Sequence, residues 1–188
     1  MPSMPIYFWN DPGNKRYNES YFEMFPGVWR HGDWIRFTDY NSCVIYGRSD
    51  STIIRFGIRM GTSEIYRVVE ELPEVRDSLV IDLEYLGRPS LMVLFVVLQQ
   101  GQVIDDAIRE RIKLQIRTKA SARHVPDEVV QVVDIPRTLS GKKMEVPVRK
   151  LLLGSDPDKV ASADAMQNPE SLAFYVDYAK ALLSRLQS

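Results

Sequence analysis

A chain of 188 residues, 45% hydrophobic and 26% charged, suits one ordinary domain with some addition, and excludes a large multidomain enzyme. That balance also excludes general disorder. Twenty-four Lys and Arg against 25 Asp and Glu leave a net charge of −1, without the basic excess of proteins that grip nucleic acid through phosphates.

The one cysteine, Cys43, has no internal disulfide partner, so a cytosolic, cytoplasmic setting is expected. Its apolar strand context predicts a buried, inert thiol. The longest apolar run, Leu91 to Leu98 (LMVLFVVL), falls far short of the roughly 20 residues that span a membrane. The opening, MPSMPIYFWND, has neither the basic start and apolar core of a signal peptide nor a helix start.

Aromatic residues and turn formers crowd residues 1 to 48. Asn10-Asp11-Pro12-Gly13 is a turn. Strands are predicted over Trp34 to Thr38 and Cys43 to Tyr46, joined by a turn at Asp39 to Ser42. A lone hairpin of that length is marginal in water and needs a partner surface.

Residues from about 50 to 150 read as a compact α+β domain. Ile53 to Met60 is a small hairpin with Gly57 near its bend. Thr62-Ser63-Glu64 opens a helix with Ile65, Val68, Val69 and Leu72 on one face, ended by Pro73. Val75 to Leu86 and Ser90 to Leu98 are strands around a turn at Gly87-Arg88-Pro89. Ile104, Ile108, Ile112 and Ile116 recur at a spacing that fits an amphipathic helix over Asp105 to Thr118. Val129 to Ile135 is a strand, and Met144 to Leu153 a short helix with Pro147 in its first turn.

Gly154 to Gln167 reads as a polar loop. Asn168-Pro169-Glu170 starts a last helix, with Asn as cap and Pro at the first position. Its apolar stripe runs from Leu172 through Tyr175, Val176, Ala179, Leu182 and Leu183 to Leu186. That stripe suits packing on the domain or on a larger body.

Established catalytic sets are not visible. His31 and His124 are far apart, and His31 is expected to be a loop histidine with a structural hydrogen bond. No Cys and His cluster has metal-ligand spacing, and no glycine-rich nucleotide loop occurs. Three segments stand out. In Trp29-Arg30-His31-Gly32-Asp33-Trp34, a Gly-Asp pair entering a strand offers a close backbone and a carboxylate for two hydroxyls, although a plain turn Asp is the commoner case. Around the hairpin at residues 53 to 60, Arg48, Asp50, Gly57 and Arg59 combine cations that can clamp phosphate with glycine that lets a thin ligand pass; a charged hairpin with turn glycines has the same composition. Pro136-Arg137-Thr138-Leu139-Ser140-Gly141-Lys142-Lys143 is a small, polar, cationic loop, from which a lysine can neutralise developing negative charge; a solvated basic loop reads the same way.

Together, in this order, the three segments resemble the carboxy-terminal part of adenylate-forming acyl-CoA synthetases. GRSDSTIIRFGIRMGTSEIYRVVEELPEV is similar to the hinge and following hairpin of that family, PRTLSGKK to its catalytic-lysine loop and WRHGDW to its Gly-Asp motif. The wording of YFWNDPGNKRYNESYFEMFPGVWRHGDW and FGIRMGTSEIY, and the tail after Asn168, are similar to the subgroup that activates acetoacetate. Sister enzymes that activate acetate or propionate are the runner-up. The resemblance covers essentially the whole chain.

It implies a small mobile C-terminal domain, a three-stranded sheet with flanking helices and a short hairpin. Residues 1–48 would be the last β strands of a large amino-terminal domain, 49–153 the mobile domain and 154–188 a helical extension. ATP and coenzyme A would be substrates, with Mg arriving with ATP through the large domain and no metal site here. Lys142 would be catalytic, bridging substrate carboxylate and α-phosphate. Asp33, Arg48 and Arg59 would bind the nucleotide, Asp50 would be the hinge, and Gly57 and Arg117 would meet CoA. Phe56 departs from the Ser or Arg that family members often carry just before that glycine. The family's phosphate loop and acyl pocket lie in the large domain, so this chain alone is expected to be inactive, with that domain as partner and self-association through residues 1–48. No nucleic acid and no membrane are expected. The competing readings are a stand-alone module that binds CoA or nucleotide and, ranked lower for want of a basic face, an RNA-binding domain.

Overall fold

The computed structural model describes residues 4–49, 52–55, 58–84 and 89–187. The predicted Asp50, Phe56 and Gly57 and the Gly87-Arg88 turn lie outside the described residues.

The first segment is not strand alone. Helix α1 (Lys15–Tyr21) follows a short 3-10 turn at Pro12–Asn14. Asp11 builds it: its carboxylate accepts from the backbone N–H groups of Arg16 (3.0 Å) and Tyr17 (2.9 Å). Those N–H groups have no partner inside the helix, so a carboxylate there satisfies orphan donors. The sequence reading took Asp11-Pro12 as a turn and missed the helix behind it. The aromatics then cluster, with Tyr21 stacked on Trp29 at 3.8 Å and Tyr17 packed edge-on to Phe8. Strands β1 (Asp33–Phe37) and β2 (Cys43–Arg48) form the expected antiparallel hairpin. Cys43 is exposed, not buried as expected. A two-stranded ribbon has a second face, and among the described residues the thiol's side is left exposed.

Strands β3 (Ile53–Arg55) and β4 (Ile58–Met60) pair antiparallel, Ile53 opposite Met60. Next come α2 (Thr62–Val69), β5 (Val75–Leu83), β6 (Leu91–Leu98), α3 (Asp106–Lys119) and β7 (Glu128–Gln131). The sheet order is β5-β6-β7, antiparallel between β5 and β6 and parallel between β6 and β7. Strand β7 ends at Gln131, short of the predicted Val129 to Ile135; Val132 N–H still donates to the Val96 carbonyl at 2.9 Å, and beyond it the chain leaves the sheet toward the lysine loop. Helix α3 begins where Asp105 caps the N–H of Ile108 at 2.7 Å.

The central strand β6 is apolar at every position because both of its faces are buried. On one face Met92, Leu94 and Val96 meet Ile65, Val68 and Val69 of α2 and Ile108, Ile112 and Ile116 of α3. On the other, Val93, Phe95 and Val97 meet Val148, Leu151 and Leu152 of α4 (Glu145–Leu152) and Tyr175, Ala179 and Leu182 of α6 (Leu172–Gln187). Each such large side chain contributes roughly 1.5–3 kcal/mol of burial. The apolar stripe of the tail therefore packs on this sheet, and the Phe95 and Tyr175 rings meet edge-on at 4.9 Å.

The segment before α6 is not an open loop. It holds α5 (Pro157–Val160), a 3-10 turn at Ala163–Ala165 and the buried Met166. Asn168 does not cap α6, which starts at Leu172 after a second 3-10 turn. Its side chain instead accepts from the N–H of Arg137 (2.9 Å) and donates to the carbonyl of Ile135 (2.9 Å). Among the described residues, no helix is long and apolar enough to cross a membrane.

Candidate functional site

Asp33 and Arg48 face each other across the β1–β2 ladder. Arg48 Nη1 lies 3.7 Å from an Asp33 oxygen and donates to the carbonyl of His31 at 3.2 Å. The other Asp33 oxygen pairs with His31 Nδ1. His31 is thus the structural loop histidine the sequence suggested. Gly32 sits at φ +86°, and a Cβ there would come within 2.9 Å of the Arg48 guanidinium. Glycine is needed both for the backbone turn and for the close approach of that cation. Asp33 is thereby held in place from two sides, by His31 and by Arg48.

Arg59 joins the same corner by another route. Its guanidinium lies over the Trp34 ring, 4.5 Å from the centroid, next to Asp33 in the chain. An open cleft of about 240 Å³ lined by Trp34, Thr52, Arg59, Met60, Gly61 and Glu64 runs beside it. A second, of about 540 Å³, is lined by Tyr21, Trp29, Arg30, His31, Gly32 and Arg48 among others. Two of the predicted nucleotide residues are thus in contact and the third is one residue away. Arg117 is separate, exposed in the last turn of α3.

Lys142 lies elsewhere, on the loop between β7 and α4. The loop closes as a small hairpin: Arg137 and Lys143 form an isolated antiparallel bridge, and Thr138 N–H donates to the Lys142 carbonyl at 2.9 Å. Gly141, at φ +80°, turns its tip. The Lys142 side chain is exposed, and among the described residues its ammonium has no ion pair. No described hydrogen bond or ion pair joins this loop to the Asp33 hairpin. Among the described residues, no group of three or more His, Cys, Asp or Glu gathers as a metal site.

Residues 64–142 match the family described as AMP-binding enzyme C-terminal domain. The chain is 43% identical over 174 residues to an acetoacetyl-coenzyme A synthetase of Rhizobium meliloti, covering 93% of this chain and 26% of that protein. A solved acetoacetyl-CoA synthetase from Streptomyces lividans superposes with a TM-score of 0.87 at 53% identity, over 96% of this chain and 27% of that one. Residues 64–142 belong to the AMP-binding enzyme C-terminal domain family. The amide bond synthetase McbA from Marinactinospora thermotolerans also matches, at 26% identity and a TM-score of 0.60 over 77% of this chain and 28% of that one. The chain spans about a quarter of the length of the curated relatives it matches.

Lys143, immediately after the matched residues, behaves unlike its neighbour. Its ammonium donates to Glu70 Oε1 at 2.6 Å and to the Ser78 carbonyl at 2.7 Å, and lies 3.0 Å from Asp77 Oδ1. It also sits 3.9 Å from the Tyr66 ring centroid. Asp77 in turn pairs with Arg137. Burial pushes the Asp77 carboxyl up, but the hydrogen bonds from Arg137 and Lys143 outweigh it and hold Asp77 below the usual carboxylate range. Tyr66 donates to Glu145 at 2.6 Å, and burial, reinforced by that carboxylate, keeps its hydroxyl protonated far above the ordinary range.

Sequence reasoning missed Asp77, Glu70 and Tyr66. A signal was present: Asp77 lies on a strand whose following residues are buried, and a charge there needs a partner.

A second buried carboxyl has none. Asp82, 6% exposed, has both oxygens without a hydrogen-bond partner among the described residues. Burial pushes it up to about 6 against the attraction of Arg55.

Proposed function

We propose that this chain works as the carboxy-terminal part of an acetoacetyl-CoA synthetase, with the catalytic centre completed by a large amino-terminal domain. What carries the reading is the likeness to acetoacetyl-CoA synthetases over more than nine-tenths of the chain, joined to a lysine loop that leaves Lys142 exposed.

The reaction runs in two halves. An acetoacetate oxygen attacks the α-phosphorus of ATP, and the bond to pyrophosphate breaks. The sulfur of CoA then attacks the acyl carbon of the adenylate, its proton is lost, and AMP leaves. In the first half two anions must meet. Lys142 carries a positive charge to the point where they repel, and a charge fixed in advance stabilises the transition state without reorganisation. Asp33, steadied by His31 and Arg48, accepts hydrogen bonds from the ribose hydroxyls. Arg59, next to Trp34, meets the nucleotide phosphates. Asp50 is the hinge about which the domain turns between the halves. Gly57 lines the pantetheine path and Arg117 meets the phosphates of CoA. Mg enters with ATP in the large domain; the described residues of this chain offer it no cluster, and no step here runs through it. The adenine and acyl pockets belong to the large domain, so the chain alone is inactive; it acts in the cytoplasm.

The test uses a fusion of this chain to the part of the Streptomyces lividans relative that it leaves uncovered. Pyrophosphate release from ATP and acetoacetate is expected from the fusion, not from the chain alone. Lys142→Ala should slow adenylation about 10²- to 10³-fold and leave thioester formation from supplied acyl-adenylate unchanged. Release by the chain alone, lost on Lys142→Ala, would overturn the reading.

A further inference from the structure

One carboxylate, that of Asp77, reaches both residues at the base of the lysine loop, Arg137 and Lys143, while Glu70 adds a second hold on Lys143 alone. Asp77 stands on β5, far from the loop in sequence, and its side chain is only 15% exposed. One of its oxygens pairs with Arg137, the residue that enters the loop, and the other lies 3.0 Å from Lys143, the residue that leaves it. Arg137 extends the grip, since its second guanidinium nitrogen donates to the Gly141 carbonyl at 2.7 Å, immediately before Lys142. At the tip, Gly141 N–H donates to the Thr138 carbonyl at 2.8 Å and Lys142 N–H to Thr138 Oγ1 at 3.2 Å.

Alternation turns this grip into a direction. Along an extended segment successive side chains point to opposite faces. Lys143 is drawn inward by Asp77, Glu70 and the Ser78 carbonyl. Lys142, one residue earlier, is thereby turned outward, as its exposure shows.

We propose that Asp77 is a positioning residue: by holding Arg137 and Lys143 with one carboxylate, it sets where the Lys142 ammonium projects. The inference rests on the reading of Lys142 as the adenylation lysine. Asp77 touches no substrate and acts through the loop. An ion pair buried to this degree keeps its geometry because releasing one partner strands the other. A displacement of Lys142 by about an ångström is enough to slow a reaction that depends on alignment by roughly 10²-fold.

The experiment makes Asp77→Asn and Asp77→Glu in the fusion and in the chain itself. Asp77→Asn should slow adenylation between about 10- and 100-fold and leave thioester formation from supplied acyl-adenylate unchanged. Asp77→Glu, which keeps the charge, should recover most of the lost rate. In the chain, Asp77→Asn should speed amide exchange at residues 138–142 without altering protection in β6. If Asp77→Asn also lowers protection in β6, Arg137→Gln takes its place, because it removes one arm of the grip and leaves the strand intact. Equal slowing of both half-reactions would overturn the proposal, as would unchanged adenylation in Asp77→Asn beside a slowed Lys142→Ala. If Lys142→Ala itself leaves adenylation unchanged, the functional reading fails, and loop exchange alone then decides whether Asp77 holds the loop.

Discussion

Arg55 and Asp127 meet across the domain, one guanidinium nitrogen of Arg55 lying 3.0 Å from both carboxylate oxygens. The same guanidinium donates to the Val125 carbonyl at 3.2 Å, and Asp127 also accepts from the N–H of Met92 at 2.7 Å. The β3–β4 hairpin is thus fastened to the β6–β7 end of the sheet. Arg55 is 8% exposed, so its charge has little water to fall back on.

Asp127→Ala should destabilise the chain by about 3 kcal/mol, the low end of the cost of stranding one member of a buried pair, because Asp127 is itself partly exposed. Urea denaturation checks this. A loss below half of that value would show that the hairpin is held by its apolar contacts alone.

Asp82 predicts a pH dependence of opposite sign to that of ordinary carboxylates. Its carboxyl is raised to about 6 from 3.8, chiefly by burial. Between those values the folded chain keeps a proton that the unfolded chain has released, so stability falls as pH rises through this window and levels off above it. Asp82→Asn should therefore exceed the parent in stability at pH 7.5, by at most about 3 kcal/mol, and match it near pH 4. Asp77, held low by its cations, loses its contribution as pH falls, but it does so in both proteins and cancels in the difference. Denaturation midpoints of the pair across pH 4 to 7.5 decide; a constant difference would refute the assignment.

Lys142 and Lys143 should separate in stability as well as in activity. Lys142→Ala removes an exposed side chain and should stay within about 0.5 kcal/mol of the parent. Lys143→Ala leaves Glu70 and Asp77 without their shared cation and should cost about 2 kcal/mol, the scale of a hydrogen bond to a charged group. Thermal unfolding of both variants is sufficient, and equal losses would contradict the geometry.

The hairpin at residues 33–48 leaves Phe37 78% and Ile45 63% exposed, with Tyr40 at 91% in its turn. Exposed apolar surface on an open ribbon recruits a partner. In sedimentation velocity the chain should associate with rising concentration, and Phe37→Ser combined with Ile45→Ser should weaken that association. Strictly monomeric behaviour at high concentration would count against it.

The sheet and its first helices were legible because their patterns are strong. Four isoleucines spaced by four residues announced α3, and an unbroken apolar run announced β6. Lys142 was reached through a motif resemblance, not through its environment. The long-range polar contacts were less legible. Nothing local links Asp77 to Arg137 or Tyr66 to Glu145, since the fold alone brings them together. Asn168 misled for a related reason: an Asn before Pro has the pattern of a helix cap, but here its amide was engaged by residues 135–137. Asp11 was the reverse case, a cap hidden inside a turn signal.

The grip of Asn168 on Arg137 has a consequence for the order in which the chain takes shape. Arg137 needs Asp77 from upstream and Asn168 from downstream, and α6 must cover Phe95 for Asn168 to be in place. During synthesis from the amino terminus, most of the sheet can form while the tail is still being made, whereas contacts that close long loops come late. The lysine loop is therefore among the later parts to set, after α6 has left the ribosome. A nascent chain that stalls before residue 168 would hold a folded sheet with an unset lysine.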